Sequence, residues 1–270
     1  MPRGVPHVCY CFTPMRYAWD QFDQYFGPGR VGRVGTRAAR PILRRLARWD
    51  AATASRVSRY VAISHYVAGR IGRYYNRRSD IVYPPVDTAF YAPDDRPTEG
   101  YALVVSALVP YKRIDIAMEA ARLSGVPLRI VGEGPDRARL ESAAAGAQVE
   151  FLGFQSNEAI RDLYRAAEMV LLPGEEDFGI VPVEAQACGR PVVAYGRGGA
   201  RETVIDRVTG ALVDEMTPEA LADGIATVRR LHLDPGVARA HAVRFSRDRF
   251  QAEMTRIVDE TRNAPDGSRW

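Results

Sequence analysis

Residues 171–202 read LLPGEEDFGIVPVEAQACGRPVVAYGRGGARE, and this stretch decides the fold. The apolar run Met169–Leu172 has the length of a strand, residues 174–179 form a loop, and Pro182 is typical of the first turn of a helix. The GRP sequence at 189–191 ends that helix, and the apolar run after it predicts another strand. This order of strand, loop, helix and strand is the repeating unit of a parallel sheet.

Two acidic residues in this stretch are candidates for binding a ligand. Glu176 precedes the helix, Glu184 lies inside it, and seven residues separate them. A loop that leads from a strand into a helix N-terminus attracts anionic groups through its free amides and the helix dipole. A carboxylate there would instead accept hydrogen bonds from hydroxyls, such as those of a ribose and a sugar. The alternative is two solvated acids beside a helix start.

The pattern of alternating strands and helices continues over most of the chain. We predict strands at ALVVS, LRIVG, VEFLGF, MVLLP and PVVAY, with helices over 114–123, after Asp136, after Ser156 and around Glu184. The fold class is therefore α/β, with one complete, doubly wound, parallel sheet domain and a partial second α/β domain. The predicted domains are 1–83 (partial, with strands VCYC and RYVAIS), 84–100 (a proline-rich linker), 101–240 (the complete sheet) and 241–270 (a C-terminal helix crossing back to the first part).

Composition indicates a globular protein. The chain has 270 residues, 46% of them hydrophobic, and no apolar run of the roughly 20 residues that a membrane span needs. The start lacks the apolar stretch of a secretion signal, so we expect a cytoplasmic protein.

Cys9, Cys11 and Cys188 are odd in number, and the first two are too close in sequence for an ordinary disulfide, so we expect free, buried thiols.

Charge is distributed unevenly along the chain. Residues 1–83 contain 15 arginines, no lysine and 4 acidic residues, a net charge of +11, whereas residues 84–270 contain 22 basic and 29 acidic residues, a net charge of −7. Arginines between 37 and 48 alternate with apolar residues as in an amphipathic helix that contacts an anionic membrane or a phosphate-bearing acceptor. The alternative is a solvated basic face. No nucleic-acid motif accompanies the charge, so no nucleic-acid partner is expected.

Three further segments carry chemistry. SALVPYKRID at 106–115 contains Lys112, the only lysine among 37 basic residues, and a compact ammonium in a loop after a strand suits a diphosphate. VGEGP at 131–135 is a turn, but Arg137 stands where a dinucleotide fingerprint has its third glycine, which disfavours a simple NAD site. The glycines of GRGGARE at 196–202 would let the backbone approach a ligand closely.

Together, SALVPYKRID, IVGEGP, FLGF, GEEDFGIVPVEAQACGRPVVAYGRGGARETV and TGALV resemble the retaining, nucleotide-sugar-dependent glycosyltransferases of the GT-B fold, group 1, family 4. CYCFTPMRYAWD and YVAISHYVAGRIGRYYN resemble the second half of the acceptor domain in mannosyltransferase-like members. The resemblance implies transfer of a hexose, such as mannose, from a nucleoside diphosphate sugar to a saccharide or lipid-linked acceptor. It also implies a role in cell-surface polysaccharide or glycolipid synthesis, at the inner face of the membrane, with no metal or other cofactor.

The resemblance also implies roles for individual residues. Lys112, with Arg113 beside it, would bind the donor diphosphate, assisted by the amides of Phe178, Gly179 and Ile180. Glu176 would hold the sugar hydroxyls and Glu184 the ribose hydroxyls, with Lys112 and Glu176 as the catalytic residues. Gly132, Gly134 and Gly153 would line the base.

This sequence departs from the family pattern at three points. Ala107 stands where the donor loop often has an arginine, Phe12 stands where a CHTP-like motif has histidine, and the resemblance begins part-way through the acceptor domain. The alternative function is therefore a truncated, catalytically impaired module that binds a nucleotide sugar. An epimerase on the same fold is a further alternative.

Overall fold

The structure is a computed structural model that describes residues 5–265 and residue 268. The chain divides into two compact units. The first comprises Met1–Tyr83 and Phe250–Trp270, and the second comprises Pro84–Arg249. Residues 84–100, predicted as a linker, contain no helix or strand and are part of the second unit.

A small parallel sheet forms the centre of the first unit. Its strands are β1 (Val8–Cys11), β2 (Arg59–Ala62) and β3 (Asp80–Ile81), in the order β1-β2-β3. The helices that follow β1 and β2 are α1 (Arg16–Trp19), α2 (Phe22–Phe26), α3 (Pro28–Thr53) and α4 (His65–Tyr75), with a 3-10 turn at Ala54–Arg56. The two predicted strands are confirmed, and β3 was missed because two residues show no periodicity.

The long helix α3 begins with a proline, whose fixed φ and missing N–H suit a helix start. It is kinked at Gly32, where φ is 71°. The face of α3 that carries Thr36, Leu43 and Ala47 is buried, whereas most of its arginines are exposed. The predicted amphipathic helix over 37–49 is therefore confirmed and belongs to a longer one.

The second unit contains a six-stranded parallel sheet. In chain order the strands are β4 (Ala102–Val105), β5 (Leu128–Val131), β6 (Val149–Gly153), β7 (Met169–Leu172), β8 (Val192–Tyr195) and β9 (Gly210–Val213). The helices between and after them are α5 (Ile114–Ser124), α6 (Arg137–Ala143), α7 (Asn157–Ala166), α8 (Ile180–Ala187), α9 (Ala200–Thr203), α10 (Pro218–Leu231) and α11 (Pro235–Val243). All the strands and helices predicted between 102 and 195 are confirmed.

The strand order in this sheet is β6-β5-β4-β7-β8-β9. The chain first moves outward from β4 to β6, and then returns to add β7 on the other side of β4. The loops that leave β4 and β7 therefore diverge at a topological switch point, which is where open α/β sheets bind ligands.

Apolar side chains on both faces of the sheet hold the unit together. β7 and β8 are buried along their whole length, as expected for central strands covered by helices on both sides. Met169, Leu171 and Val193 join one core with side chains of α5 and α10. This packing fixes the carboxyl ends of β4 and β7, which carry the candidate site.

The last helix, α12 (Arg247–Arg262), contributes to the core of the first unit from Phe250 onward. Ile257 is fully buried and packs with Val61 and Val82. The predicted C-terminal helix is therefore present. Within the described residues, no helix combines the length and the apolar character that crossing a bilayer requires.

Candidate functional site

Two loops of the second unit meet at the switch point of its sheet. One leaves β4 and contains a 3-10 turn, Pro110–Lys112, and the other, 173–179, leaves β7. β4 and β7 are paired in parallel, so both loops emerge at the same edge, as the sequence predicted. Gly174 lets them touch, because a Cβ atom there would lie 2.9 Å from the carbonyl oxygen of Lys112.

This contact brings Lys112, the only lysine of the sequence, to Glu176. The ammonium of Lys112 donates a hydrogen bond to Oε1 of Glu176, across 64 positions of sequence. Each side chain is 17% exposed, so solvent reaches the pair. Lys112 Nζ also lies 5.3 Å from the ring centroid of Tyr111. A cation and an anion, both reachable from solvent, are thus held together beside the start of a helix.

Arg113, the neighbour of Lys112, has a different set of partners. Its Nε and Nη2 each lie 3.2 Å from the carboxylate oxygens of Asp115, and its Nη1 lies 3.6 Å from the sulfur of Met216. Its backbone is left-handed, with φ 53°, where it caps α5. The guanidinium is therefore engaged by Asp115, and its predicted role toward a diphosphate stays a prediction.

The N-terminus of α8 lies next to the ion pair in sequence. Phe178 is buried, Gly179 is the N-cap residue with φ 91°, and Ile180 is exposed. The first turn of a helix carries partial positive charge that favours an anion. Pro182 lies in the first turn, as the sequence predicted, and suits it because no N–H is needed there.

Glu184 lies in the second turn of α8 and is enclosed by two tyrosines. The hydroxyl of Tyr164 donates to its Oε2 at 3.0 Å, and Tyr91 donates to the same carboxylate. Burial raises the pKa of Glu184 above its ordinary value, although the two hydrogen bonds act in the opposite direction. Burial also raises the pKa of Tyr164 well above 10, so this hydroxyl remains a donor.

Sequence reasoning did not find the two tyrosines. Tyr164 is fully buried in α7, and Tyr91 lies in the irregular segment before β4. The only local signal is that a buried tyrosine hydroxyl needs a partner. The ribose-binding role predicted for Glu184 stays a prediction, since its carboxylate has protein partners here.

The glycine-rich segment 196–199 contacts the loop that contains Glu176. The N–H of Gly199 donates to the carbonyl of Glu176 at 2.7 Å, and Gly198 forms a β-bridge with Glu176. A Cβ atom on Gly199 would lie 2.3 Å from the Cα of Phe178. These glycines therefore bring the backbone against the loop that contains Glu176, and the predicted close approach to a ligand stays a prediction.

The turn after β5 packs closely against the loop after β4. Gly132 and Gly134 have φ of 130° and 159°, and a Cβ on either would collide with the carbonyl of Ser106 or Leu108. Gly153, at the end of β6, accepts a hydrogen bond from Gly132 at 2.8 Å. The three glycines predicted to line a base are thus neighbours at one edge of the sheet.

Several other predicted features have clear positions. In the first unit, Phe12 is 59% exposed and packs edge-on against Tyr10. Cys9, Cys11 and Cys188 are thiols outside any disulfide, as predicted, but Cys9 is only half-buried. Burial raises the pKa of Cys188 to about 12, which keeps it an inert thiol. In the part of the chain that the structure describes, no cluster of three or more His, Cys, Asp or Glu side chains suits a metal ion.

Comparison with known proteins identifies the family. The model described as Glycosyl transferases group 1 matches residues 89–234, more than half of the chain, so this protein belongs to that family. A relative from Segniliparus rotundus, named D-inositol 3-phosphate glycosyltransferase, is 34% identical over 220 residues, which are 70% of this chain and 49% of the relative. A protein of the same name from Mycobacteroides abscessus is 37% identical over 194 residues, which are 63% of this chain and 43% of that relative.

Solved structures confirm the fold. Anabaena HepE in complex with UDP matches with a TM-score of 0.69 and 24% identity, over 79% of this chain and 67% of that chain. The fold class is that of the GT-B glycosyltransferases, as the resemblance implied. The chain spans about half the length of the curated relatives it matches.

Proposed function

We propose that this protein is a retaining glycosyltransferase that moves a hexose from a nucleoside diphosphate sugar to an acceptor hydroxyl. The observation that carries this proposal is the pairing of Lys112 with Glu176 beside the N-terminus of α8. Membership of the glycosyl transferases group 1 family supports it.

In the proposed complex, the donor diphosphate takes the place of Glu176 as the partner of Lys112. The ammonium then faces the phosphates together with the amides of 178–180, and Glu176 is released to accept hydrogen bonds from the sugar hydroxyls. The solvent exposure of both side chains supports this exchange, because neither is enclosed. Arg113, next to Lys112 in the same loop, would add a second cation on exchanging Asp115 for the diphosphate.

The remaining donor contacts follow from the positions of the other loops. Glu184 holds the ribose hydroxyls, and its tyrosine partners orient the carboxylate. The turn containing Gly132 and Gly134, with Gly153 beside it, lines the base. Gly132 and Gly134 let this turn pack against the loop after β4, because a Cβ on either would collide with that loop.

In the reaction, the bond between the anomeric carbon and the diphosphate oxygen breaks, and a bond forms from that carbon to the acceptor hydroxyl oxygen. The acceptor proton leaves with the diphosphate or to solvent. Negative charge grows on the diphosphate as the sugar departs, so Lys112 and the helix amides stabilise the transition state more than the ground state. This chemistry uses the chain's own charges and is proposed to need no metal.

The proposal extends to substrate and place. The acceptor is a saccharide, a lipid-linked saccharide or an inositol phosphate, the last suggested by the names of the relatives. Mannose and glucose are the first donor sugars to test. The proposed role is polysaccharide or glycolipid synthesis, in the cytoplasm at the inner face of the membrane.

Release of nucleoside diphosphate from UDP-glucose, UDP-N-acetylglucosamine and GDP-mannose, with an acceptor panel, tests the transferase. We expect Lys112→Ala and Glu176→Ala to lower kcat by about 10²-fold, the typical effect of removing one group that stabilises developing charge. Glu158→Ala, an exposed acid on α7, is the matched control. Equal rates in all four proteins would refute the assignment. The anomeric signal of the product in NMR spectra reports retention or inversion.

A second candidate is a module that binds the nucleotide sugar without turnover. The small sheet of the first unit, which is the acceptor-side domain in the predicted organisation, favours this candidate. Within the described residues that sheet has three strands, whereas the sheet of the second unit has six. In that case, nucleoside diphosphate raises the melting temperature of the wild type but not of Lys112→Ala, and no glycoside forms with any acceptor. Product accumulating over many turnovers would exclude this candidate.

A further inference from the structure

The outer face of α3 carries an unusual stripe of exposed apolar side chains. Val34 is 84% exposed, Ile42 65% and Trp49 58%. Val34, Ala38, Ile42 and Trp49 share a single line along the helix with Arg45, because these five positions follow one another at intervals of three or four. The buried positions Thr36, Leu43 and Ala47 lie on the other side. The stripe therefore points away from the core of the first unit.

A row of arginines runs beside the stripe. Side chains of α3 line an open groove of ≈ 630 Å³, and five of them are arginines: Arg33, Arg37, Arg40, Arg44 and Arg48. Their spacing places them on one flank of the helix over about 22 Å. Arg40 is paired with Asp23 at 3.1 Å. Within the described residues, no carboxylate pairs with any of the other four.

We propose that α3 lies flat on the surface of an anionic lipid bilayer. Guanidinium groups match the phosphates of lipid headgroups, and the apolar stripe enters the boundary between headgroups and acyl chains. A soluble polyanion would use the arginines but leave Ile42 and Trp49 in water. The combination of free positive charge and adjoining exposed apolar residues selects a surface that offers both.

This inference deepens the membrane-face location within the proposed function. Its test needs neither donor nor acceptor, because it measures binding of the whole chain to vesicles. The expected result is co-sedimentation with vesicles of phosphatidylglycerol mixed with phosphatidylcholine, little binding to pure phosphatidylcholine, and weaker binding as salt rises. Quenching of fluorescence by brominated lipid is expected in the wild type and is expected to fall in Trp49→Phe.

Two double variants separate charge from insertion. Each basic residue near an anionic surface raises binding about fivefold, so Arg37→Glu with Arg44→Glu is expected to lower the partition coefficient at least about 25-fold. Ile42→Ser with Trp49→Ser is expected to lower it at least about tenfold through lost apolar burial. The control is Arg207→Glu with Arg230→Glu, which makes the same charge change at exposed positions of the second unit.

Several results would overturn the proposal. The wild type does not bind vesicles, or it binds neutral vesicles as well as anionic ones. The variant changed at Ile42 and Trp49 binds as well as the wild type, or the control variant loses as much binding as the variant changed at Arg37 and Arg44. A dimer in sedimentation velocity that this apolar variant dissociates would show instead that a second copy covers the stripe. Transfer activity without vesicle binding would refute only the proposed role of α3. Vesicle binding without transfer would refute only the proposal of a transferase.

Discussion

Replacing Gly199 by alanine tests whether the glycine segment 196–199 supports the loop 173–179, which contains Glu176. The φ and ψ of Gly199 are −68° and −15°, which alanine adopts without strain. The only obstacle is therefore steric. The added Cβ would lie 2.3 Å, 2.5 Å and 2.6 Å from the Cα, carbonyl oxygen and carbonyl carbon of Phe178.

The size of the effect follows from these distances. Carbon atoms in contact lie about 3.5–4.0 Å apart, so the backbone at Phe178 must move by about 1 Å or more. Overpacking of this kind costs about 1–3 kcal/mol, which lowers the melting temperature by about 2–4 °C per kcal/mol in a unit of this size. The same shift displaces Glu176, whose carbonyl accepts from the Gly199 N–H. A misplacement of about 1 Å costs about 10²-fold in rate.

The assay combines thermal unfolding with nucleotide binding and transfer. Gly69→Ala in α4 is the matched control, because a Cβ there meets nothing within 4 Å. Its stability is expected to stay unchanged or to rise by about 0.5–1 kcal/mol. If Gly199→Ala unfolds at the wild-type temperature and keeps wild-type affinity for nucleoside diphosphate, the glycine contact does not position the loop and the reasoning fails.

Two further predictions concern buried charge. Burial raises the pKa of Glu184 above 4.5, so the protonated carboxyl stabilises the folded state at low pH, and this contribution is lost as pH rises through the folded pKa. Glu184→Gln is therefore expected to melt at a higher temperature than the wild type at pH 7. This difference in melting temperature is expected to disappear toward pH 4.5. A constant difference across that range in thermal unfolding would contradict it. In the first unit, Arg59 is 3% exposed and bonds Asp80 at 2.6 Å and Glu260 at 2.9 Å. Arg59→Ala is expected to cost about 2–3 kcal/mol in urea unfolding, unlike the exposed Arg56→Ala, and equal stabilities of these two variants would show that the network contributes nothing.

Much of the second unit could be predicted from local pattern. Apolar runs of four or five residues, separated by helical periodicity and ended by glycine and proline, indicated its strands through PVVAY in the correct chain order. These signals are local, because burial on both faces makes a central strand continuously apolar. β3 lacks such a signal, since its two residues depend on β2 for their conformation.

The candidate site was only partly predictable for the same reason. The spacing of Glu176 and Glu184 and the single lysine are visible in the sequence. The tyrosine partners of Glu184 and the contact of Gly199 with Phe178 are not, because they join elements that are distant along the chain. A glycine pair predicts close approach of the backbone, but it does not say to what.

The sequence alone determined the alternation of strands and helices, the uneven distribution of arginine and the residues of the acidic motif. These properties depend on residues within one or two turns or strands of each other. The tertiary structure decided which of those residues meet. Lys112 reaches Glu176 because β7 pairs with β4 at the point where the chain order reverses, and the enclosure of Glu184 follows from packing α7 and the segment before β4 against α8. Strand order is set by how whole helices and strands cover one another, and that is a property of the assembled core.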